Sequence, residues 1–200
     1  MRRLFQSQPL RHWHQTVHAK VKTPIEFVAS AVRASDASVD NLQSLANALR
    51  DLGMPLYGAV PPNGFKWDAA DWVSTGALVT RMNFALALAA DRLPGIALNW
   101  SAQINPADLP PDIISNPEVE ERRLESLLLA TPVSDSTRTA VLQQFAAQSA
   151  SQTGQQPTRQ TIPIATRSTA ATAHLNPSAL EREDQILAGL LIGSPEFQRR

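Results

Sequence analysis

The run "TGALVTRMNFALALAADR", residues 75 to 92, constrains the fold more than any other stretch of the chain. It holds Leu78, Val79, Met82, Phe84, Ala85, Leu86, Leu88 and Ala89, so a helix built from it is apolar on most of its circumference, the mark of a helix central to its domain. Those elements read as helices too. Thr23-Pro24-Ile25-Glu26 has the form of a capping box with Pro at the first helical position, and Ile25, Val28, Ala29 and Val32 follow at i, i+3, i+4, i+7 to about Ala34. Leu42, Leu45, Ala46, Leu49 and Leu52 form a second stripe behind the candidate caps Ser38 and Asp40, with Gly53 and Pro55 as the stop.

Asp68 or Asp71 can cap the element that contains residues 75 to 92, and Leu93-Pro94-Gly95 ends it. Asn116-Pro117-Glu118 opens a helix through Leu124, Leu127 and Leu128 that breaks at Thr131-Pro132. Ser134 can cap another, carrying Val141, Leu142 and Phe145, and Ser178 starts a last one with Ile186, Leu187, Leu190 and Leu191 that stops at Gly193-Ser194-Pro195. No strand shows a period of two, and no internal repeat is visible. The expected fold is therefore all-α: an irregular bundle of about six helices with long Pro-rich ordered loops. Residues 1–22 read as a remnant helix, 23–148 as a helical domain, 149–176 as a flexible low-complexity linker, and 177–200 as a helix that packs back on the domain.

Charge and composition exclude several functions. Lys and Arg number 18, balanced by 18 Asp and Glu and scattered along the chain, so there is no basic stripe of the kind nucleic acid requires as a partner. There is no Cys, hence no disulfide, thiolate metal site or Cys nucleophile. Residues 1–22 lack the apolar run of about 7 to 15 residues of a signal peptide, and no segment approaches the roughly 20 apolar residues of a membrane span. The expectation is a soluble chain without an export signal. No Gly-x-Ser-x-Gly elbow, phosphate-binding loop or dinucleotide fingerprint occurs, so no cofactor is expected. His14 and His18 stand at i, i+4, a spacing able to present two imidazoles to one metal, but nothing completes the site, and a solvated helix is the expected reading.

Two features stand out as candidate sites. Arg81 lies at helical spacing with Ala77, Phe84, Ala85 and Leu88 on an apolar stripe, where a charge must be paired, and Glu26, Asp68 and Asp71 are the candidate carboxylates. A pinning ion pair is the expected role, with anion binding as the alternative. Tyr57, Phe65, Trp67 and Trp72 surround the Pro-rich loop 54–67; they are expected to staple it to the Ala-rich helix, though exposed rings could instead stack on a sugar or receive a peptide.

Three stretches carry a family resemblance. They are "KVKTPIEFVASAVRA" (20 to 34), "LANALRDLGMPLYGAVPPNGFKWDAADWVSTGALVTRMNFALALA" (45 to 89) and "ILAGLLIGSPEFQ" (186 to 198). Lys-x-Lys-x-Pro-x-Glu, Leu-Gly-Met-Pro before Pro-Asn-Gly-Phe, Trp72 ahead of Arg81, and a closing Ser-Pro-Glu-Phe-Gln follow one another in the order and spacing of the bacterial domain-of-unknown-function 1800 family. The chain resembles the C-terminal portion of its members. The resemblance implies no established activity. It does imply a fragment, because members are typically more than twice this length and their Asn-Glu-Asn-x-Ala-Arg-Glu stretch has no counterpart here; longer members often look exported. The expected function is a non-catalytic scaffold or interaction module whose partner is the missing N-terminal half or a second copy. The rival is the substrate-groove half of a larger exported, hydrolase-like enzyme whose catalytic carboxylates lie elsewhere, with Arg81 and the Trp-rich loop shaping the groove.

Overall fold

Local signals near Thr23 start the first helix as the sequence requires. Glu26 reaches back so that its Oε2 accepts from the Thr23 backbone N–H at 2.8 Å and from its hydroxyl at 3.0 Å, which satisfies an end that would otherwise leave donors unmet. The computed structural model describes residues 20–66, 68–98, Trp100, 116–153 and 177–199. Over them run α1 (Pro24–Ala34), β1 (Ser38–Val39), α2 (Gln43–Asp51), the single turn α3 (Ala69–Trp72), α4 (Thr75–Ala89), β2 (Ile96–Ala97), α5 (Pro117–Leu128), α6 (Asp135–Thr153) and α7 (Pro177–Ile192). Among the described residues the fold is all-α apart from one two-stranded ladder, which pairs Ser38 with Ala97 and Val39 with Ile96 antiparallel. Strands of two residues are too short to show a period, so the sequence gives no sign of them.

Helix α7 organises the bundle. It packs on α4, α5 and α6, and the core joins Phe27 and Ala31 of α1, Ala85, Leu88 and Ala89 of α4, Leu124 of α5, and Leu187, Leu191 and Ile192 of α7, all at most 1% exposed. The close approach of α7 to α4 depends on Gly189. A Cβ there would lie 2.8 Å from Leu86 Cδ2 and 3.1 Å from Leu86 Cα, and the second atom is backbone that cannot turn aside. Gly189→Val is accordingly expected to destabilise the protein by about 1–3 kcal/mol, read as a lower urea midpoint at unchanged slope; an unchanged midpoint would mean that this interface has slack.

Several boundaries differ from the sequence reading, each for a local reason. Helix α4 is capped by Ser74, whose Oγ accepts from Ala77 N at 3.1 Å, while Asp68 stands ahead of the separate turn α3. At its other end α4 stops at Ala89, before Leu93-Pro94-Gly95, because Asp91 takes a left-handed φ of 53° and Arg92 N returns to Ala87 O at 2.9 Å. Trp100, only 1% exposed, donates its indole N–H to Ala89 O at 2.9 Å and so satisfies a carbonyl of that last turn. Asn41, rather than Ser38 or Asp40, caps α2 by accepting from Gln43 N at 2.9 Å, and Leu42, which precedes the first helical residue, is left 69% exposed. Helix α6 continues to Thr153, into the stretch read as a linker from 149; residues 154–176 lie outside the described residues, as do 1–19 with His14 and His18. In α5 the inward face is Glu121, Leu124, Glu125 and Leu128, and Leu127 points out.

Candidate functional site at the buried Arg81

The first and last stretches of the family resemblance, far apart in sequence, meet around one guanidinium. Arg81 projects from the buried face of α4 and is 1% exposed. Its Nη2 donates to the Lys22 carbonyl at 2.8 Å, and its Nη1 faces Gln198 Oε1 at 3.4 Å. Its carbon lies 5.2 Å from the centroid of Phe27, which is in edge-on contact with Phe84 at 5.9 Å and with Phe197 at 6.1 Å. Lys22 places its ammonium 4.1 Å from the Phe197 ring centroid. The backbones join as well: Lys22 N donates to Gln198 O at 2.8 Å, and Val21 bridges Arg199 antiparallel.

Ser194, Glu196, Phe197 and Gln198 of the closing Ser-Pro-Glu-Phe-Gln each have an identifiable structural job. Ser194 Oγ accepts from Phe197 N at 3.3 Å and shapes the turn. Glu196 Oε1 accepts from the Ser134 backbone N–H at 3.2 Å, from the Ser134 hydroxyl at 2.9 Å and from the Thr137 hydroxyl at 2.9 Å. Burial alone would raise this carboxyl, but hydrogen bonds from its own backbone, Thr137 and Ser134 outweigh that and hold it below the usual carboxylate range. A carboxylate at the start of α6 also complements the helix dipole. Phe197 fills the core, and Gln198 donates from Nε2 to Gly193 O at 2.8 Å while its carbonyl oxygen faces Arg81.

The carboxylate expected to neutralise Arg81 is not there. Among the described residues, the ion pairs do not include Arg81. Glu26 turns to Thr23, Asp71 pairs with Lys66 at 3.1 Å, and Asp68 is exposed. Neutral oxygens and an aromatic face meet the guanidinium instead, an environment that weakly hydrated, delocalised Arg tolerates better than Lys. Burial without a compensating charge lowers the Arg81 pKa, and burial lowers that of Lys22 despite the nearby Glu26.

The aromatic loop forms a separate group. Trp72 is buried and donates from Nε1 to Lys66 O at 2.9 Å, and Phe65 lies 6.2 Å from it at a 60° tilt. Those two rings and the Lys66–Asp71 pair fasten the end of the loop. Tyr57 does not take part: it is fully exposed, with a left-handed φ of 58°, and Leu56 and Val60 beside it are exposed too. Trp67 lies outside the described residues. Among the described residues no hydrogen bond, ion pair or ring contact joins this group to Arg81.

Sequence reasoning missed a second buried polar layer, between α5, α6 and α7. Arg138 donates from Nε to Glu121 at 3.0 Å and from Nη2 to Glu125 at 2.6 Å, and the other Glu125 oxygen accepts from Val133 N at 2.8 Å. Glu121 is fully buried, which raises its pKa against the opposing pull of Arg138. Nearby, Asp184 of α7 is 4% exposed, 3.7 Å from Arg123, and adjoins Glu120. The available signal was periodicity: Glu121 and Glu125 occupy the same 3–4 spacing as Leu124 and Leu128. Among the described residues no group of three or more His, Asp or Glu is suited to hold a metal ion, and no helix is long and apolar enough to cross a membrane.

Comparison with curated proteins and with solved structures gives no match. The description "Protein of unknown function (DUF1800)" matches residues 1–199. With the match running along nearly its whole length, and the Lys-x-Lys-x-Pro-x-Glu and Ser-Pro-Glu-Phe-Gln residues meeting at Arg81, the chain belongs to the DUF1800 family of proteins of unknown function.

Proposed function

We propose that this chain is a non-catalytic scaffold or interaction module. The observation that carries the reading is the mutual use of the motif residues: Lys22, Arg81, Phe197 and Gln198 turn their polar groups and rings on one another, and Glu26 and Glu196 Oε1 hold helix starts. A guanidinium 1% exposed beneath Phe27 and Gln198 is poorly placed to shape a substrate groove, which disfavours the enzymatic rival. Large apolar side chains meanwhile face outward on the loop and on the first turns of α4, with Tyr57 and Val60 nearly fully exposed and Val79 54% exposed. Exposed apolar surface of this kind marks association. The isolated chain is expected to sediment faster as its concentration rises, and Val60→Glu with Val79→Glu to hold it monomeric. A wild-type monomer at every concentration would count against the reading.

A further inference from the structure

The side of α7 away from α5 forms the floor of an open groove walled by α4 and α6. These two helices pack on α7 but scarcely on each other. One compartment of the groove, about 480 Å³, includes Met82 and Leu86 of α4, Val141 of α6 and Leu190 of α7. A second of about 480 Å³ shares Leu86 and Gln148 with it and ends at Arg92 and Arg182. Arg182, Ile186, Leu190 and Gly193 recur at helical spacing along the floor, so one face of α7 serves the whole groove. Arg92 and Arg182 are exposed and take part in no ion pair among the described residues. Asp184 of α7 lies on its other side, where it meets Glu120 and Arg123, and Glu183 lies near the same Glu120.

We infer that this groove receives an amphipathic helix whose first turn carries carboxylates, completing a four-helix bundle of which α4, α7 and α6 are three corners. Direction and charge agree on this occupant. Helices α4 and α6 both run towards the basic end, and α7 runs away from it. A fourth helix antiparallel to α4 and α6 would begin beside Arg92 and Arg182, where acidic residues suit both the arginines and its own dipole. The floor from Arg182 to Pro195 spans about 20 Å, room for a helix of three to four turns. A peptide suits the walls better than an acyl chain, because Thr137, Gln144 and Gln148 would be covered by hydrocarbon in one case and offered polar side chains in the other.

The inference rests on the interaction-module reading and names the partner's chemistry. Its test is fluorescence anisotropy with the full chain and a fluorescein-labelled synthetic peptide of four helical turns, Leu at i, i+3, i+4 and i+7, and three Glu in the first turn. Saturable binding is expected, weakened at least tenfold by Arg92→Glu with Arg182→Glu and restored on that variant by a peptide with Lys in place of Glu. Ala140→Trp, on the exposed α6 wall, should abolish binding while leaving the urea midpoint unchanged. Absence of binding, or equal binding of the Glu and Lys peptides, would overturn it. So would displacement of the peptide by equimolar dansyl-undecanoate, which would assign the groove to an acyl chain, or a charge-reversed pair that dissolves self-association without affecting the peptide, which would assign it to a second copy. Self-association that persists while the peptide fails would sink the groove and leave the interaction reading standing.

Discussion

Arg81→Ala is expected to lower stability by about 3 kcal/mol, and Arg81→Met by about 1 kcal/mol or less. Three effects of different sign set the first figure. Truncating a long, fully buried side chain leaves a cavity beside Phe27 and Phe84, a loss on the order of 2–5 kcal/mol for residues of this size. The Lys22 carbonyl loses its donor, at roughly 1–3 kcal/mol if it stays dry. Against both stands relief from burying a cation that no carboxylate among the described residues neutralises. Met restores most of the volume and keeps that relief, so it separates packing from charge. Urea titrations of the three proteins decide: if Met is as damaging as Ala, the guanidinium itself stabilises the fold, and if Ala is harmless, the meeting of the two motifs at Arg81 is not a lock.

The same residue shows where sequence reasoning succeeds and where it stops. That Arg81 would be buried was legible from its spacing with Phe84, Ala85 and Leu88, because helical periodicity is a local property. The capping box at Thr23 and Glu26 was legible for the same reason, its partners lying three residues apart. What meets Arg81 was not, since Lys22 is 59 and Gln198 117 residues away. A buried charge does not require an opposite charge here, because neutral oxygens with an aromatic face suffice. Tyr57 exposes the complementary weakness. Its neighbours Pro55 and Gly58 mark a turn, but nothing in them tells whether a ring in that turn faces in or out. The two acids on the inward face of α5 are not legible from the Leu pattern, because the three-dimensional reason for them, Arg138 on the next helix, lies 13 and 17 residues on.

Stability is expected to fall as pH rises from about 5 to about 8, by roughly 2–4 kcal/mol, and Asp184→Asn to remove most of that slope. Burial between α5 and α7, a hydrogen bond shared with Glu120 and the Glu120 charge push the Asp184 carboxyl up to about 8 from an ordinary 3.8, against the pull of Arg123. A raised acid binds its proton more tightly folded than unfolded. Between those two values the folded chain therefore holds more protons, and stability declines with pH at up to about 1.4 kcal/mol per unit. Glu183 faces the same Glu120 and is raised by burial and that charge, and Glu121 is raised by burial, so both add in the same direction. Glu196 is lowered and acts oppositely, but its contribution is lost only on acidification through its depressed pKa, below the ordinary glutamate range. Asn at 184 can still donate to Glu120 without a charge to bury, so the variant should exceed wild type at pH 8 and match it near pH 5. Urea midpoints across that range check the claim; a flat wild-type profile, or one that climbs with pH, would mean that Asp184 ionises freely and that the α5–α7 contact does not depend on a shared proton.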